Sequence, residues 1–272
     1  MKNKIAEASA YLQSRLKEKP LVAVVLGTGL NALADTVDSP VYINYCDVPH
    51  MPKSTAPSHV GRFVCGYLNG SYIIFMQGRV HYYEGYHIQE VIFPIRLFQA
   101  LEIDTLILTN AAGSLNPDLQ PGDIVALLDH VNLMGVNPLI GADEPQLGER
   151  FPSMNEPYNK ELRNLAHEIA EKEKINLKDG IYAGLTGPSL ETRTECKMLA
   201  QLGIDLVGMS TVPEVIVGVQ SKMKIIAFSI VTNLSNIFHD HPHSQEEIRQ
   251  NADLARNNLE KLIKNIIMKI RK

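Results

Sequence analysis

Arg79 and His81 alternate within the segment MQGRVHYYEGY, so an extended backbone there points both to one side, with Tyr83 following. An arginine presents a two-pronged donor to phosphate, a histidine adds another donor, and a tyrosine can hydrogen-bond or pack against a sugar. Further along, the turn Gly187-Pro188-Ser189 delivers a carboxylate, Glu191, to the mouth of a helix. Ser210 immediately precedes Thr211 and Glu214, which form a T-x-x-E capping box. Its hydroxyl therefore sits just outside a helix N-terminus, where unpaired N–H groups and the positive dipole end favour an anion. Asn233 ends an apolar strand and carries both a donor and an acceptor, which suits reading an N–H and a carbonyl on one planar ring. Each residue also has a plainer reading: a surface Arg79–Glu84 pair, a core histidine, an ordinary turn asparagine.

The elements that must position these groups follow from periodicity and punctuation. Ile5, Ala8, Leu12 and Leu16 predict a first helix, and Pro20 separates it from an apolar strand, Leu21 to Leu26. That strand runs into Gly27-Thr28-Gly29-Leu30-Asn31-Ala32, close to the G-x-G-x-x-A turn of dinucleotide-binding units. The nearest ribose-binding acid, Asp47, is followed by Pro49, Pro52 and Pro57, which suit an irregular loop. The simpler expectation is a glycine turn that lets backbone and the Thr28 hydroxyl approach a small anion.

Asn69-Gly70 between Arg62–Leu68 and Ser71–Met76 predicts a hairpin. Ile88 to Leu101 reads as a helix with Pro94 bending it or near its first turn. A buried strand, Thr105 to Thr109, ends in Asn110-Ala111-Ala112-Gly113-Ser114, whose small side chains open main-chain N–H groups to a ligand at the sheet's carboxyl edge. Asp123–Leu128 and Lys224–Thr232 read as strands, and Asn159–Lys174 as a helix after a long loop through Pro152 and Pro157. Met198, Leu199 and Leu202 recur at helical spacing until Gly203, and the buried run Ile204–Val207 follows. Ser244 and Glu247 open a C-terminal helix with the apolar face Ile248, Leu259, Leu262, Ile263, Ile266 and Ile270. His239-Asp240-His241-Pro242-His243 has metal-ligand residue types, but Pro242 interrupts the alternation and no ligand-bearing helix motif supports it.

A chain of 272 residues that is 45% hydrophobic can bury a large core and is most economically one α/β domain spanning residues 1–272. Basic and acidic residues number 26 and 30, so no basic excess points to nucleic acid. The charged, amphipathic N-terminal segment lacks a secretory signal's apolar core. No apolar run approaches the ~18 residues of a membrane span. Three separated cysteines, Cys46, Cys65 and Cys196, suggest reduced thiols and a cytoplasmic protein.

From about Leu21 to the C-terminal helix, the chain resembles the trimeric purine nucleoside phosphorylases. The resemblance rests on LGTGL, SHVGRF, MQGRVHYYEGY, LTNAAGSLNP, PGDIVALLDHVNL, GPSLETRTE, GMSTVPEVIV and VTN in that order. It implies a three-layer α/β/α nucleoside phosphorylase fold with a mixed, partly barrel-like central sheet. The implied activity is reversible phosphorolysis of 6-oxopurine ribonucleosides or 2′-deoxyribonucleosides to free base and pentose 1-phosphate. By position, phosphate would meet Thr28, His59, Arg79, His81, Ser210 and the Ala111 N–H; the sugar would meet Tyr83 and Met209. The base would contact Ala112, Gly113, Leu190, Glu191, Val207, Gly208 and Asn233, with His81, Glu191 and Asn233 assisting the chemistry. Phe151 matches a phenylalanine inserted into the neighbouring subunit's site, which implies a homotrimer. The resemblance implies no cofactor and no metal, inorganic phosphate being a co-substrate.

Three departures stand out. Leu190 replaces a common aromatic residue. The position that often contacts the 5′-hydroxyl is Gln245, with His243 as a substitute two residues earlier. Leu234-Ser235 is more polar than the usual pair after Asn233. Methylthioadenosine phosphorylase, which usually has an aspartate near Asn233, and a dinucleotide-dependent oxidoreductase are the alternatives; intact Arg79, His81, Glu191 and Asn233 disfavour a catalytically silent binding protein.

Overall fold

The computed structural model describes residues 1–27, 30–56, 60–242 and 244–270, apart from the Gln245 side chain. Thr28, His59, His243 and the Gln245 side chain, each expected at the site, lie outside that description.

In order, the elements begin with α1 (Lys2–Arg15), β1 (Val22–Leu26), β2 (Asp38–Asn44), β3 (Arg62–Leu68) and β4 (Ser71–Gln77). Next come α2 (Ile88–Val91), α3 (Phe93–Ala100), β5 (Thr105–Ser114), β6 (Ile124–Asn132), α4 (Lys160–Glu173) and β7 (Leu177–Gly184). The chain finishes with α5 (Arg193–Gln201), β8 (Leu206–Gly208), α6 (Val212–Gln220), β9 (Lys224–Leu234) and α7 (Gln245–Ile270).

The strands form one mixed sheet in the order β2-β3-β4-β1-β5-β8-β7-β6-β9, and β9 also pairs with β5. The run β5-β8-β7-β6-β9 therefore closes on itself, giving the sheet its partly barrel-like part. Apolar side chains cover both faces. α1, α3 and α6 contribute Leu12, Phe98 and Val215 to one core, while α4 and α7 contribute Ala166, Leu259 and Ile266 to another. Burying a Leu or Ile side chain contributes about 1.5–3 kcal/mol, so the apolar stripe of α7 is a principal clamp on that face.

The Asn69-Gly70 hairpin forms as expected because both residues take positive φ, at 50° and 78°, which matches the twist of the flanking strands. The expected helix from Ile88 to Leu101 is two helices broken at Ile92, with Pro94 in the first turn of the second. Two strands escape the sequence pattern. β2 has a mostly exposed edge-strand composition, and β7 mixes polar with apolar residues. Met198 and Leu202 are 51% and 69% exposed, while Cys196 and Leu199 are the buried residues of α5, so its apolar face is rotated from the expected one.

The chain that follows β1 does not enter a βαβ unit. Asn31–Thr36 is a short 3₁₀ segment, and the chain then enters β2, which pairs antiparallel with β3. A dinucleotide site requires a full helix dipole and a parallel return strand. The dinucleotide-dependent reading therefore loses its structural basis.

Candidate active site

The carboxyl ends of β5 and β9 define the site. Small side chains in Asn110-Ala111-Ala112-Gly113-Ser114 do not end the strand, as expected from sequence; pairing with β9 carries β5 through Ser114. An irregularity between Ala112 and Gly113 shifts the register so that Gly113 lies opposite Asn233, and β8 places Val207 against the same glycine. A Cβ on Gly113 would lie 3.2 Å from Asn233 Nδ2, so glycine keeps this wall flat beside the amide. Backbone pairing thus gathers three widely separated stretches at one point.

Next to this wall lies a cavity of about 360 Å³, within the range of small-ligand sites. Arg79, His81, Tyr83, Ala111, Met209 and Ser210 line it. Ala112, Gly113, Leu190, Glu191, Val207, Gly208 and Asn233 also line it. Phe151 stands apart; its ring is 89% exposed, with the Arg150 guanidinium 5.8 Å away over its face.

Arg79 is 2% exposed, not part of a surface pair with Glu84. Its Nε donates to Glu214 Oε1 at 3.2 Å, and Nη1 donates to Thr109 O at 3.0 Å and Ser210 Oγ at 3.1 Å. Glu214 Oε2 accepts the Thr211 N–H at 3.0 Å. The capping-box carboxylate therefore has two tasks: closing the first turn of α6 and holding the guanidinium across a sequence distance no local pattern reveals. Thr211 has φ of 71° and ψ of −53°, a positive-φ turn geometry uncommon for a β-branched residue, and Asn110 Nδ2 donates to its hydroxyl at 2.9 Å. This strained, over-determined turn aims Ser210 at Arg79.

His81 is fixed from a different direction. Glu84 accepts from the His81 backbone N–H at 2.7 Å and lies 3.0 Å from Nδ1, while His81 and Tyr83 stack with centroids 4.7 Å apart. An ionised carboxylate only accepts, so this contact places a proton on Nδ1. Burial alone raises the Glu84 pKa, but hydrogen bonds from His81 and Thr55 outweigh it and pull the carboxyl down to about 2. At Gly27, the backbone N–H donates to Thr109 Oγ1 at 2.9 Å, and a Cβ there would lie 2.7 Å from Thr109 O. Glycine is needed for that close approach.

Burial raises the Glu191 pKa, with the nearby Glu195 charge adding to the shift. Asn236 Nδ2 donates to Glu191 O at 2.9 Å, anchoring the loop before α5. Asn233 Oδ1 accepts from Thr232 Oγ1 at 3.1 Å. Sequence reasoning missed Asn110, Cys196, Thr232, Ser235 and Asn236 as lining residues. Asn110 falls in the small-residue run already singled out, and Ser235 and Asn236 directly follow Asn233, so proximity to recognised residues was the available signal.

Among the described residues, no group of three or more His, Cys, Asp or Glu is arranged to hold a metal ion. His239 Nε2 instead lies 3.0 Å from Leu234 O, and the His239 and His241 rings stack at 6.2 Å. No helix among the described residues is long and apolar enough to cross a membrane.

Residues 21–268 match the sequence model of the phosphorylase superfamily. The chain is 42% identical over 267 residues to purine nucleoside phosphorylase 1 of Bacillus subtilis, covering 98% of both chains. It is 44% identical over 232 residues to the Bos taurus purine nucleoside phosphorylase, covering 84% of this chain and 80% of that one. The crystal structure of Schistosoma mansoni purine nucleoside phosphorylase with inosine aligns at a TM-score of 0.93, with 34% identity over 98% of this chain and 96% of that one. Those alignments run through the fold and the cavity alike, and the chain belongs to the phosphorylase superfamily, among its purine nucleoside phosphorylases.

Proposed function

We propose that the protein catalyses reversible phosphorolysis of 6-oxopurine nucleosides, inosine and guanosine with their 2′-deoxy forms, to free base and pentose 1-phosphate. The observation that carries this reading is the placement of Arg79, Ser210, Glu191 and Asn233 around one cavity. The inosine complex of the S. mansoni relative supports a nucleoside of this class.

Phosphate is held at the Arg79–Ser210 end, with the His81 side chain and Ala111 N–H as further donors. Thr28 and His59 are assigned there by position. Tyr83 and Met209 contact the sugar, while His243 or Gln245 meets the 5′-hydroxyl. A phosphate oxygen attacks the anomeric carbon as the bond to N9 breaks, and that bond's electron pair moves into the purine. The transition state is oxocarbenium-like, so stabilising it requires an anion on one face of the sugar and relief of charge in the leaving base.

Glu191 accepts the purine N1–H, and Asn233 engages O6 and N7, favouring protonation of the departing base. Leu190, Val207 and Gly208 enclose it against Ala112 and Gly113. Neither a covalent nucleophile nor a cofactor is needed, because phosphate itself is the attacking co-substrate. We place the enzyme in the cytoplasm, acting on small molecules rather than on nucleic acid or membranes.

A 6-aminopurine lacks the N1–H and would leave the half-buried Glu191 carboxylate unpaired. Aspartate at 233 would accept from a 6-amino group and repel a 6-oxo oxygen. Asn233→Asp should therefore shift the adenosine-to-inosine kcat/KM ratio toward adenosine by at least about tenfold. Steady-state kinetics with both nucleosides checks this, and an unchanged ratio removes Asn233 from base selection.

Phe151 completes a neighbouring subunit's site in a homotrimer. Its exposure in the single chain leaves that ring available to a second copy. Phe151→Ala should raise the inosine KM about tenfold without changing the folding of an isolated subunit. Sedimentation velocity and inosine kinetics test the two parts; a monomer with full activity, or wild-type KM in the variant, contradicts this assembly.

A further inference from the structure

The cavity that Asn233 and Glu191 line has a further polar group that the functional assignment leaves without a task. Ser235 is 4% exposed and lines the cavity, yet its hydroxyl makes no hydrogen bond to a protein nitrogen or oxygen. Its backbone is pinned, since Ser235 N donates to Ser114 O at 2.8 Å. The group beside its hydroxyl is the Cys196 thiol, which also senses the Glu191 charge. A thiol is a weak partner for a hydroxyl. Leaving a buried hydroxyl without a full partner costs stability, and a residue of that kind on a cavity wall is explained most economically by a ligand that completes the bond.

The position indicates which ligand atom this is. Ring atom C6 lies between N1 and the C5–N7 side of a purine. With Glu191 assigned to N1 and Asn233 to N7, Ser235, two residues beyond Asn233 and beside a thiol that senses the Glu191 charge, falls to the 6-substituent between them. An oxo oxygen there has two lone pairs, so it can accept from the Asn233 amide and from a second donor. We propose that Ser235 is a specificity-determining residue whose hydroxyl donates to the 6-oxo group of the bound purine. This inference rests on the purine orientation given above. It adds a second reader of the 6-position beside Asn233, on the same strand end but independent of the amide's orientation.

The test compares inosine with 6-thioinosine, whose sulfur accepts a hydrogen bond poorly. Ser235→Ala should lower kcat/KM for inosine five- to tenfold, the scale of one neutral hydrogen bond. For 6-thioinosine the change should stay below twofold. Their ratio is independent of the fraction of correctly folded enzyme, so partial unfolding of the variant cannot imitate the effect. Ser235→Thr, which retains the hydroxyl, should preserve the wild-type ratio. Equal loss on both substrates in Ser235→Ala overturns the inference by reducing Ser235 to a packing residue. If the wild-type enzyme cleaves neither nucleoside, the functional assignment itself fails, which is a different outcome from an unchanged ratio.

Discussion

Glu191→Gln should lower kcat/KM for inosine about 100-fold while leaving the melting temperature equal or higher. The first effect comes from removing an ionised acceptor opposite N1–H; hydrogen bonds to charged groups contribute about 1.5–3 kcal/mol. The glutamine can also turn its amide donors toward the N1 donor, which adds repulsion. The second effect has the opposite sign for a physical reason. Burial raises the Glu191 pKa, so the folded protein holds that proton more tightly than the unfolded chain. As pH rises from the ordinary carboxylate value of 4.5 through the raised one, ionisation of Glu191 takes stability away. A neutral isostere is relieved of that cost.

The same shift sets the pH dependence of turnover. The proposed reaction uses the ionised carboxylate, so the acid limb of kcat/KM should lie above 4.5, and Glu191→Gln should abolish that limb. A pH profile and a thermal melt of the variant check both halves. Retention of full inosine activity, or an unchanged acid limb, excludes Glu191 as the N1 acceptor.

The second large effect belongs to Glu214, which touches the proposed phosphate end only through Arg79. Arg79 and Glu214 side chains are 2% and 6% exposed, so neither charge is solvated by bulk water. Removing one partner of such a pair costs about 3–5 kcal/mol, because the remaining charge stays buried without its counterion. Glu214→Ala also removes the acceptor for Thr211 N–H at a strained positive-φ residue. For a chain of this size, the melting temperature should fall by about 10 °C.

Phosphate KM should rise as well, since Arg79 loses the bond that orients its fork while keeping those to Thr109 and Ser210. Melting curves with and without phosphate, together with phosphate-dependent kinetics, measure both consequences. A drop below about 2 °C would show that the pair contributes little and that the Ser210 turn is held by other bonds.

These residues also show which parts of the molecule can be read from one dimension. The Asn69-Gly70 turn and the Arg79–Tyr83 segment are legible because their signals are local. A two-residue positive-φ turn needs no distant partner to be recognised, and neither does the run through His81, although Tyr82–Glu84 turns into a short 3₁₀ segment that stacks Tyr83 on His81. Asn233 was recognisable at the end of an apolar strand, and β9 indeed carries it to the cavity.

Glu214 was visible only as a helix cap, since its pairing with Arg79 depends on the assembled sheet and α6. Ser235, just past β9, and Cys196 of α5 meet only once the chain has folded. The apolar face of α5 was misplaced because Met198 and Leu202 satisfy helical spacing yet point outward, while Cys196 supplies the buried contact. β8 spans only Leu206–Gly208, too short for periodicity, yet it supplies Val207 and Gly208 to the cavity. Pairing with β5 and β7 makes that short segment a strand.

The most direct test is the release of hypoxanthine from inosine, followed by absorbance with and without inorganic phosphate. Phosphate-dependent cleavage yielding one ribose 1-phosphate per hypoxanthine is the expected result, with guanosine cleaved in the same way. If both nucleosides remain intact at saturating phosphate, or if base is released equally well without phosphate, the proposed phosphorolysis is contradicted.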